Sequence, residues 1–362
     1  MTGVQTCTLP ISVGILLLAN QFSVRQGHIF TGNGHVDLVR GFLVGLVDHP
    51  RAGEEQRTSV PRAGGHAIYL AFVVGVLASL AMVSRDDREW VRLTGLGAGM
   101  AVLVPFAVWD DFRRLGPFVQ LVAQLACATV PVLFGITMNS ISNPLAPPPF
   151  GGQIPLPEWV AIPATITWLV LMMNSMNWLD TMDGLAGGVG AIASVFLVVV
   201  CVGLDQGSIA LLPAALAGAC LGFIPFNFHP AKVFMGTTGS MFLGYALGVI
   251  GVIGGAKVAS TMLVLGVPVL DAILVIVQRL AGGRSPFHGG DKAHLVHQLR
   301  LAGLGTRQVA LLVHALCALC GVMATALVRL EKFYAFGALA LALAGFFAFV
   351  RVRTVVAPPR PG

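Results

Sequence analysis

Apolar runs of helix length alternate with short polar breaks along almost the whole chain. The pattern predicts spans at about 64–83, 93–109, 117–138, 159–173, 184–204, 208–226, 241–256, 258–277, 308–327 and 333–350. A further span lies within 11–47, where Arg25, His28 and Arg40 interrupt the run. Runs of this length with few charges are long enough to cross a bilayer, and a bilayer accepts only helices or closed barrels. The expected fold is therefore all-α, a polytopic integral membrane protein of about 10–11 transmembrane helices. Residues 139–158 are rich in Pro and Gly, carry no charge before Glu158, and read as an irregular loop. The expected organisation is one transmembrane domain over 12–350 and a Pro/Arg-rich tail over 351–362. Residues 1–11 read as an artefact, because Thr2 to Ile11 resemble a translated sequencing adaptor.

Composition narrows the class. Of 362 residues, 56% are apolar and only 10% charged, against about 25% charged in soluble domains. Mean hydropathy is +0.83. The net charge of +6 reads as loop bias and not as nucleic-acid binding. If alternate breaks share a side, the segments 48–62, 110–114, 227–240 and 278–307 and the tail fall together. They hold 14 of the 22 Lys and Arg, which orients that side toward the cytoplasm. The six cysteines lie mostly inside apolar runs and read as small core residues. Cys317 and Cys320 form a C-x-x-C within a span, without the second pair that a metal or redox site needs.

The candidate chemistry gathers on that same side. Between two apolar runs stands Asn174-x-x-Asn177-x-x-Asp180-x-x-Asp183-Gly184, followed by Gly187 and Gly188. Asn177, Asp180 and Asp183 are three apart, which aligns them along one face of a helical turn. A carboxylate in mid-membrane costs about 3 kcal/mol on insertion scales, so acids here belong at a membrane face or a wet cavity. Asp110-Asp111, Asn227 and Asp291-Lys292-x-His294-x-x-His297 fall on the same side. One acid pair alone is an ordinary helix end, and one histidine alone an ordinary hydrogen-bonding residue. Together they suit a reaction on a phosphate ester. Carboxylates hold Mg²⁺ against phosphate oxygens, and imidazoles and basic side chains bind a diphosphate. Acids gathered at one face, not at mid-span, argue against a secondary transporter.

Taken together, these motifs resemble the polyprenyl-phosphate N-acetylhexosamine-1-phosphate transferases, glycosyltransferase family four. The resemblance runs from Asp48 to about Arg307. It rests on Asp48-His49-Pro50 with Pro61-Arg62-Ala63-Gly64-Gly65, on Asp110-Asp111, and on the Asn174–Ala186 signature. It also rests on Asn227-x-x-Pro230-Ala231, Phe234-Met235-Gly236, Gly239–Gly244, and Ser285-Pro286-Phe287 with Asp291-Lys292-x-His294. Pro61-Arg62 and Phe242-Leu243-Gly244 lean toward the undecaprenyl-phosphate N-acetylglucosamine-1-phosphate branch. The resemblance implies transfer of a sugar 1-phosphate from a UDP-sugar to polyprenyl phosphate, with release of UMP, in the bacterial cytoplasmic membrane. Asp110, Asp111, Asp180 and Asp183 would be catalytic, with Asp110 the proton acceptor. Arg62, Asn177, Asn227, Lys292, His294 and His297 would bind substrate. Asp110, Asp111 and Asp180 would hold Mg²⁺, or Mn²⁺ in its place. The implied partners are polyprenyl phosphate, the UDP-sugar, membrane lipid and a second copy of the chain.

Four positions depart from the family pattern. The principal magnesium Asp is Thr237, the Lys expected after the acid pair is Gln120, and Val296 interrupts the usual His-x-His-His. Gly53-Glu54-Glu55-Gln56 replaces the usual Arg-Lys-x-His of the first loop. Each change removes charge complementarity to phosphate, and losing one such charged group costs about 3 kcal/mol, roughly a hundredfold in rate. The alternative reading is therefore a catalytically impaired paralogue that binds lipid phosphate or nucleotide-sugar.

Overall fold

The computed structural model describes residues 46–48, 59–143, 153–253, 258–285, 293–327 and 329–356. The span expected within 11–47 and Lys292 lie outside the described residues. Twelve helices follow one another: α1 (Gly64–Leu80), α2 (Asp87–Arg113), α3 (Pro117–Leu133), α4 (Glu158–Leu179), α5 (Leu185–Gly203), α6 (Gly207–Asn227), α7 (Gly236–Ile253), α8 (Val258–Val264), α9 (Gly266–Ala281), α10 (Leu295–Leu301), α11 (Thr306–Ala326) and α12 (Arg329–Val356). Two short antiparallel pairs complete the described residues: β1 (Val47–Asp48) with β2 (Val60–Pro61), and β3 (Ser140–Ser142) with β4 (Gln153–Pro155).

Among the described residues seven helices are long and apolar enough to cross a membrane: α2, α4, α5, α6, α7, α11, and α12 over 330–349. The helices α1 and α3 are apolar but only 17 residues long. Each span expected from residue 64 onward has its helix, and the protein is a multi-pass membrane protein. The expectation for 258–277 needs correction. That run is broken at Leu265, and α8 and α9 meet at 81°. Within the loop expected over 139–158, residues 144–152 lie outside the described residues, and its flanks pair as short strands, Ser140 with Pro155 and Ser142 with Gln153.

Helix ends follow local chemistry. The Asp86 side chain accepts the Glu89 N–H at 2.6 Å, and acids at Asp87 and Glu89 with Arg113 at the far end complement the α2 dipole. Pro117 opens α3, where its missing N–H costs nothing.

The central helix is α7, with 89% of its apolar window buried against 11% for the peripheral α12. Small residues let neighbouring backbones approach it. A Cβ on Gly244 would lie 2.3 Å from the Met172 carbonyl oxygen of α4, so only glycine fits there. Trp168 Nε1 donates to the Gly248 carbonyl at 3.1 Å, and the Tyr245 hydroxyl donates to the Leu96 carbonyl of α2 at 3.1 Å. Both α4 and α2 are thereby registered on α7. Their C-termini meet its N-terminus at one end of the bundle.

Candidate active site

The first half of the site is the N-terminus of α7. A helix start leaves backbone N–H groups without partners. Asp111, in the last turn of α2, supplies acceptors for two of them. Its Oδ1 accepts Thr237 N–H at 2.7 Å, and its Oδ2 accepts Thr238 N–H at 3.0 Å and the Thr238 hydroxyl at 2.6 Å. The chain turns into α7 at Gly236, with φ +71°, and a Cβ there would strike Asp111 Oδ1 at 2.8 Å. Glycine is therefore required at this corner. Thr237, where the resemblance leads one to expect a metal-binding Asp, gives its backbone N–H to this clasp. His66 of α1 lies close enough to Asp111 for their charges to interact.

Asp110 points elsewhere. It is 4% exposed, and its Oδ1 accepts Leu115 N–H and Gln120 Nε2–H, each at 2.9 Å. Gln120 thus occupies the place of the expected lysine as a neutral donor to the same carboxylate.

The second half is the C-terminus of α4. The helix runs to Leu179, past the end of the apolar run, so Asn174 and Asn177 are helical and Asp180 caps the end. Asn174 and Gln124 of α3 exchange hydrogen bonds at 2.7 and 3.3 Å. Asn177 Oδ1 accepts the Ser240 hydroxyl at 2.9 Å, which ties α4 to the first turn of α7. Asp180 stands between the two halves. Burial, then the negative charges of Asp111 and Asp183, push its carboxyl up to about 7.

Two loops are braced beneath this junction. Asn227 is 2% exposed; its Oδ1 accepts Gly184 N–H at 3.0 Å and its Nδ2 donates to the Val233 carbonyl at 2.9 Å. The structure therefore uses the Asn227 amide to join the α4–α5 and α6–α7 connections. Asp183 Oδ2 lies 2.8 Å from His229 Nδ1 and accepts Ala231 N–H at 3.0 Å. Arg307 Nε in turn donates to the His229 carbonyl at 3.0 Å.

The basic groups approach from two sides. Arg62 Nη2 and Arg114 Nη2 converge on Asp48 Oδ1 at 3.2 and 3.1 Å. On the opposite flank His294, 7% exposed, sets Nδ1 2.8 Å from Asp271 Oδ2. Its ring lies 5.7 Å from that of Trp178, and Arg279 Cζ lies 5.3 Å from the Trp178 ring centre. His297 is half-buried one turn further along α10.

Of the residues expected from sequence, Asp110, Asp111, Asn177, Asp180, Asp183, Asn227, Arg62, His294 and Thr237 thus gather at one end of the bundle. Sequence reasoning missed Asp271, His66, Arg114 and Ser240. For Asp271 a signal existed, since an acid inside an apolar run is costly and points to a function.

The oxygen donors at this junction suit a divalent cation in part. Among the described residues no three His, Cys, Asp or Glu stand in metal-ligand arrangement. Mg²⁺ does not need such a cage; it takes one or two carboxylates, waters and substrate phosphates. Asp180 fits that role. It is a hard oxygen donor crowded by two other acids, where a cation would relieve the repulsion. Asp111 is a poorer ligand as it stands, because both its oxygens are committed to α7.

Residues 93–255 match the model for "Glycosyl transferase family 4". A probable undecaprenyl-phosphate N-acetylglucosaminyl 1-phosphate transferase of Bacillus subtilis is 32% identical over 75% of this chain and 74% of its own length. A decaprenyl-phosphate N-acetylglucosaminephosphotransferase of Mycobacterium tuberculosis is 32% identical over 75% and 73%. A phospho-N-acetylmuramoyl-pentapeptide-transferase of Pelotomaculum thermopropionicum is 39% identical over 72% and 82%. With these likenesses covering most of the chain, and its acids gathered where α2 and α4 meet α7, the protein belongs to glycosyl transferase family 4.

Proposed function

We propose that this chain transfers N-acetylglucosamine 1-phosphate from the UDP-sugar to a polyprenyl phosphate at the cytoplasmic face of a bacterial membrane. A phosphate oxygen of the lipid attacks the β-phosphorus of the donor. A new P–O–P bond forms, the bond from the β-phosphorus to the bridging oxygen breaks, and its electron pair leaves with UMP. The observation that carries the reading is the crowding of Asp180 by Asp111 and Asp183, with Trp178 of the same helix end against the His294 ring, at one end of a bundle whose relatives bear transferase names of this kind.

Asp180, with Asn177 beside it, would hold Mg²⁺ against the donor's phosphates. The metal, when bound, neutralises charge on the phosphoryl oxygens. His294 and Lys292 would meet the diphosphate, and Arg62 and Arg114 bring positive charge to the side of Asp110, where the lipid phosphate would lie. Asp110 would accept a proton if the lipid phosphate arrives protonated.

The test is UMP release by purified protein given undecaprenyl phosphate, UDP-N-acetylglucosamine and Mg²⁺ or Mn²⁺. Release that falls to background in Asp110→Asn supports the reading. Wild-type release no greater than that of Asp110→Asn contradicts it. A second reading, an impaired paralogue that binds lipid phosphate or nucleotide-sugar, is favoured by two observations: neutral Gln120 sits on Asp110, and Thr237 stands where a metal-binding Asp is expected.

A further inference from the structure

Asp271 is 5% exposed and lies in the apolar first three turns of α9, just past the bend at Leu265. An acid in such a segment is costly unless it is satisfied, and this one is satisfied on both oxygens. Oδ2 lies 2.8 Å from His294 Nδ1, and Oδ1 accepts Leu295 N–H at 2.7 Å. The two bonds clamp the start of α10 onto α9 and take up one of the two ring nitrogens of His294. A carboxylate at Nδ1 makes that nitrogen the donor and leaves Nε2 as the polar atom available to a ligand. Trp178, between Asn177 and Asp180 in the last turn of α4, presents its ring 5.7 Å from the imidazole at 58°. Arg279, two turns beyond Asp271 and 5% exposed, lies 5.3 Å from the same indole. The imidazole is thereby fixed in direction by Asp271 and in position by the helix end that also carries Asp180.

From this geometry we infer that Asp271 is a positioning residue for His294. It sets the tautomer and orientation with which the imidazole meets the diphosphate of the nucleotide-sugar. The inference rests on the proposed transfer reaction and adds a group remote in sequence from every motif that suggested it. The arrangement follows the general logic in which an acid orients a histidine without touching substrate.

Asn at 271 is the informative change. It preserves shape and the bond to Leu295 but offers an N–H to Nδ1, which reverses the tautomer. In the UMP-release assay, Asp271→Asn should lower kcat/KM by about as much as His294→Ala, on the order of tenfold to a hundredfold. The double variant should be no worse than His294→Ala alone, and the pH profile of kcat/KM in Asp271→Asn should lose the limb that His294→Ala also loses. Asp271→Glu should recover part of the loss, and serves where Asp271→Asn does not yield folded protein: its pH profile should then be shifted from that of the wild type. Wild-type kcat/KM and pH profile in Asp271→Asn or in Asp271→Glu, or losses that multiply in the double variant, overturn the inference while leaving the reaction intact. Wild-type protein that neither releases UMP nor binds UDP-N-acetylglucosamine overturns the proposed function and this inference together.

Discussion

The two ends of the bundle handle polar groups in different ways. At the end where α2 and α6 begin, most partners are sequence neighbours. Asp86 caps its own helix at Glu89, Arg85 pairs with Glu89 one turn on, and Thr137 bonds Asn139. A few longer-range contacts join them, Ser208 to Glu89, Met138 N–H to the Thr165 hydroxyl and Lys332 to Ser260. At the other end many partners are far apart in sequence. Gly184 and Asn227 are 43 residues apart, Asp183 and His229 46, Asn177 and Ser240 63, and Asp111 and Thr238 127. Local pairing needs only a helix end. Long-range polar bonds need the whole fold to bring them together, and leaving any of them unmade is expensive. That asymmetry marks the second end as built for something besides solubility. Within it a further contrast matters: Asp111 is consumed by the fold, whereas Asp180 is crowded by like charge.

Replacing Asp180 should separate these roles most sharply. Asp180→Asn should lower UMP release by about a hundredfold or more while leaving the melting temperature unchanged or raised. The sign follows from the raised pKa. The unfolded chain releases this proton near pH ~4, whereas the folded protein keeps it to about 7. Ionising Asp180 in the fold is a cost absent below pH ~4 and complete above about 7. Without divalent cation, wild-type stability should therefore fall as pH rises through that window, and Asp180→Asn should flatten the fall in a melting series. A melting temperature that drops in Asp180→Asn would make Asp180 a structural residue.

Asn227→Ala should do the reverse. It strands Gly184 N–H and the Val233 carbonyl, at a cost of about 2–3 kcal/mol, so unfolding should come first and lost activity follow from it. Normal thermal stability with lost turnover would instead place Asn227 against substrate. Thr237→Asp comes next in size. It returns a carboxylate beside Asp111 and Asp180, and should raise Mg²⁺-dependent turnover about tenfold while lowering stability in chelator. An unchanged rate would show that the pocket is limited elsewhere. Gln120→Lys should have the smallest effect, a gain of about two- to fivefold in turnover from a charged donor on Asp110. A loss of activity there would mean that Asp110 needs its neutral partner.

Much of this was legible in the sequence because hydrocarbon enforces long apolar runs, and their ends show where polar residues must emerge. The helices from residue 64 onward and the gathering of Asp110, Asp180 and His294 were readable in that way. The break at Leu265 was not, although Gly266 and Pro268 follow it, because the run 258–277 is apolar on both sides and membrane helices tolerate Gly and Pro within a span. The ends of α2 and α4 were placed too early, because acids and amides that satisfy one another across the bundle can remain helical. The division of labour between Asp111 and Asp180 was also hidden. Both are acids at the ends of apolar runs, and only the approach of the α7 N-terminus commits one of them. Asp271 carried a signal, but its partner His294 lies 23 residues further on, in a segment whose path the pattern does not give.

The central claim is that this end of the bundle is one divalent-cation site for a nucleotide-sugar, anchored on Asp180. Mn²⁺ binding followed by electron paramagnetic resonance, with UDP-N-acetylglucosamine present, tests it most directly. Wild-type protein should hold about one ion per chain, and Asp180→Asn should bind at least about tenfold more weakly. Equal Mn²⁺ affinity in the two proteins would contradict the account.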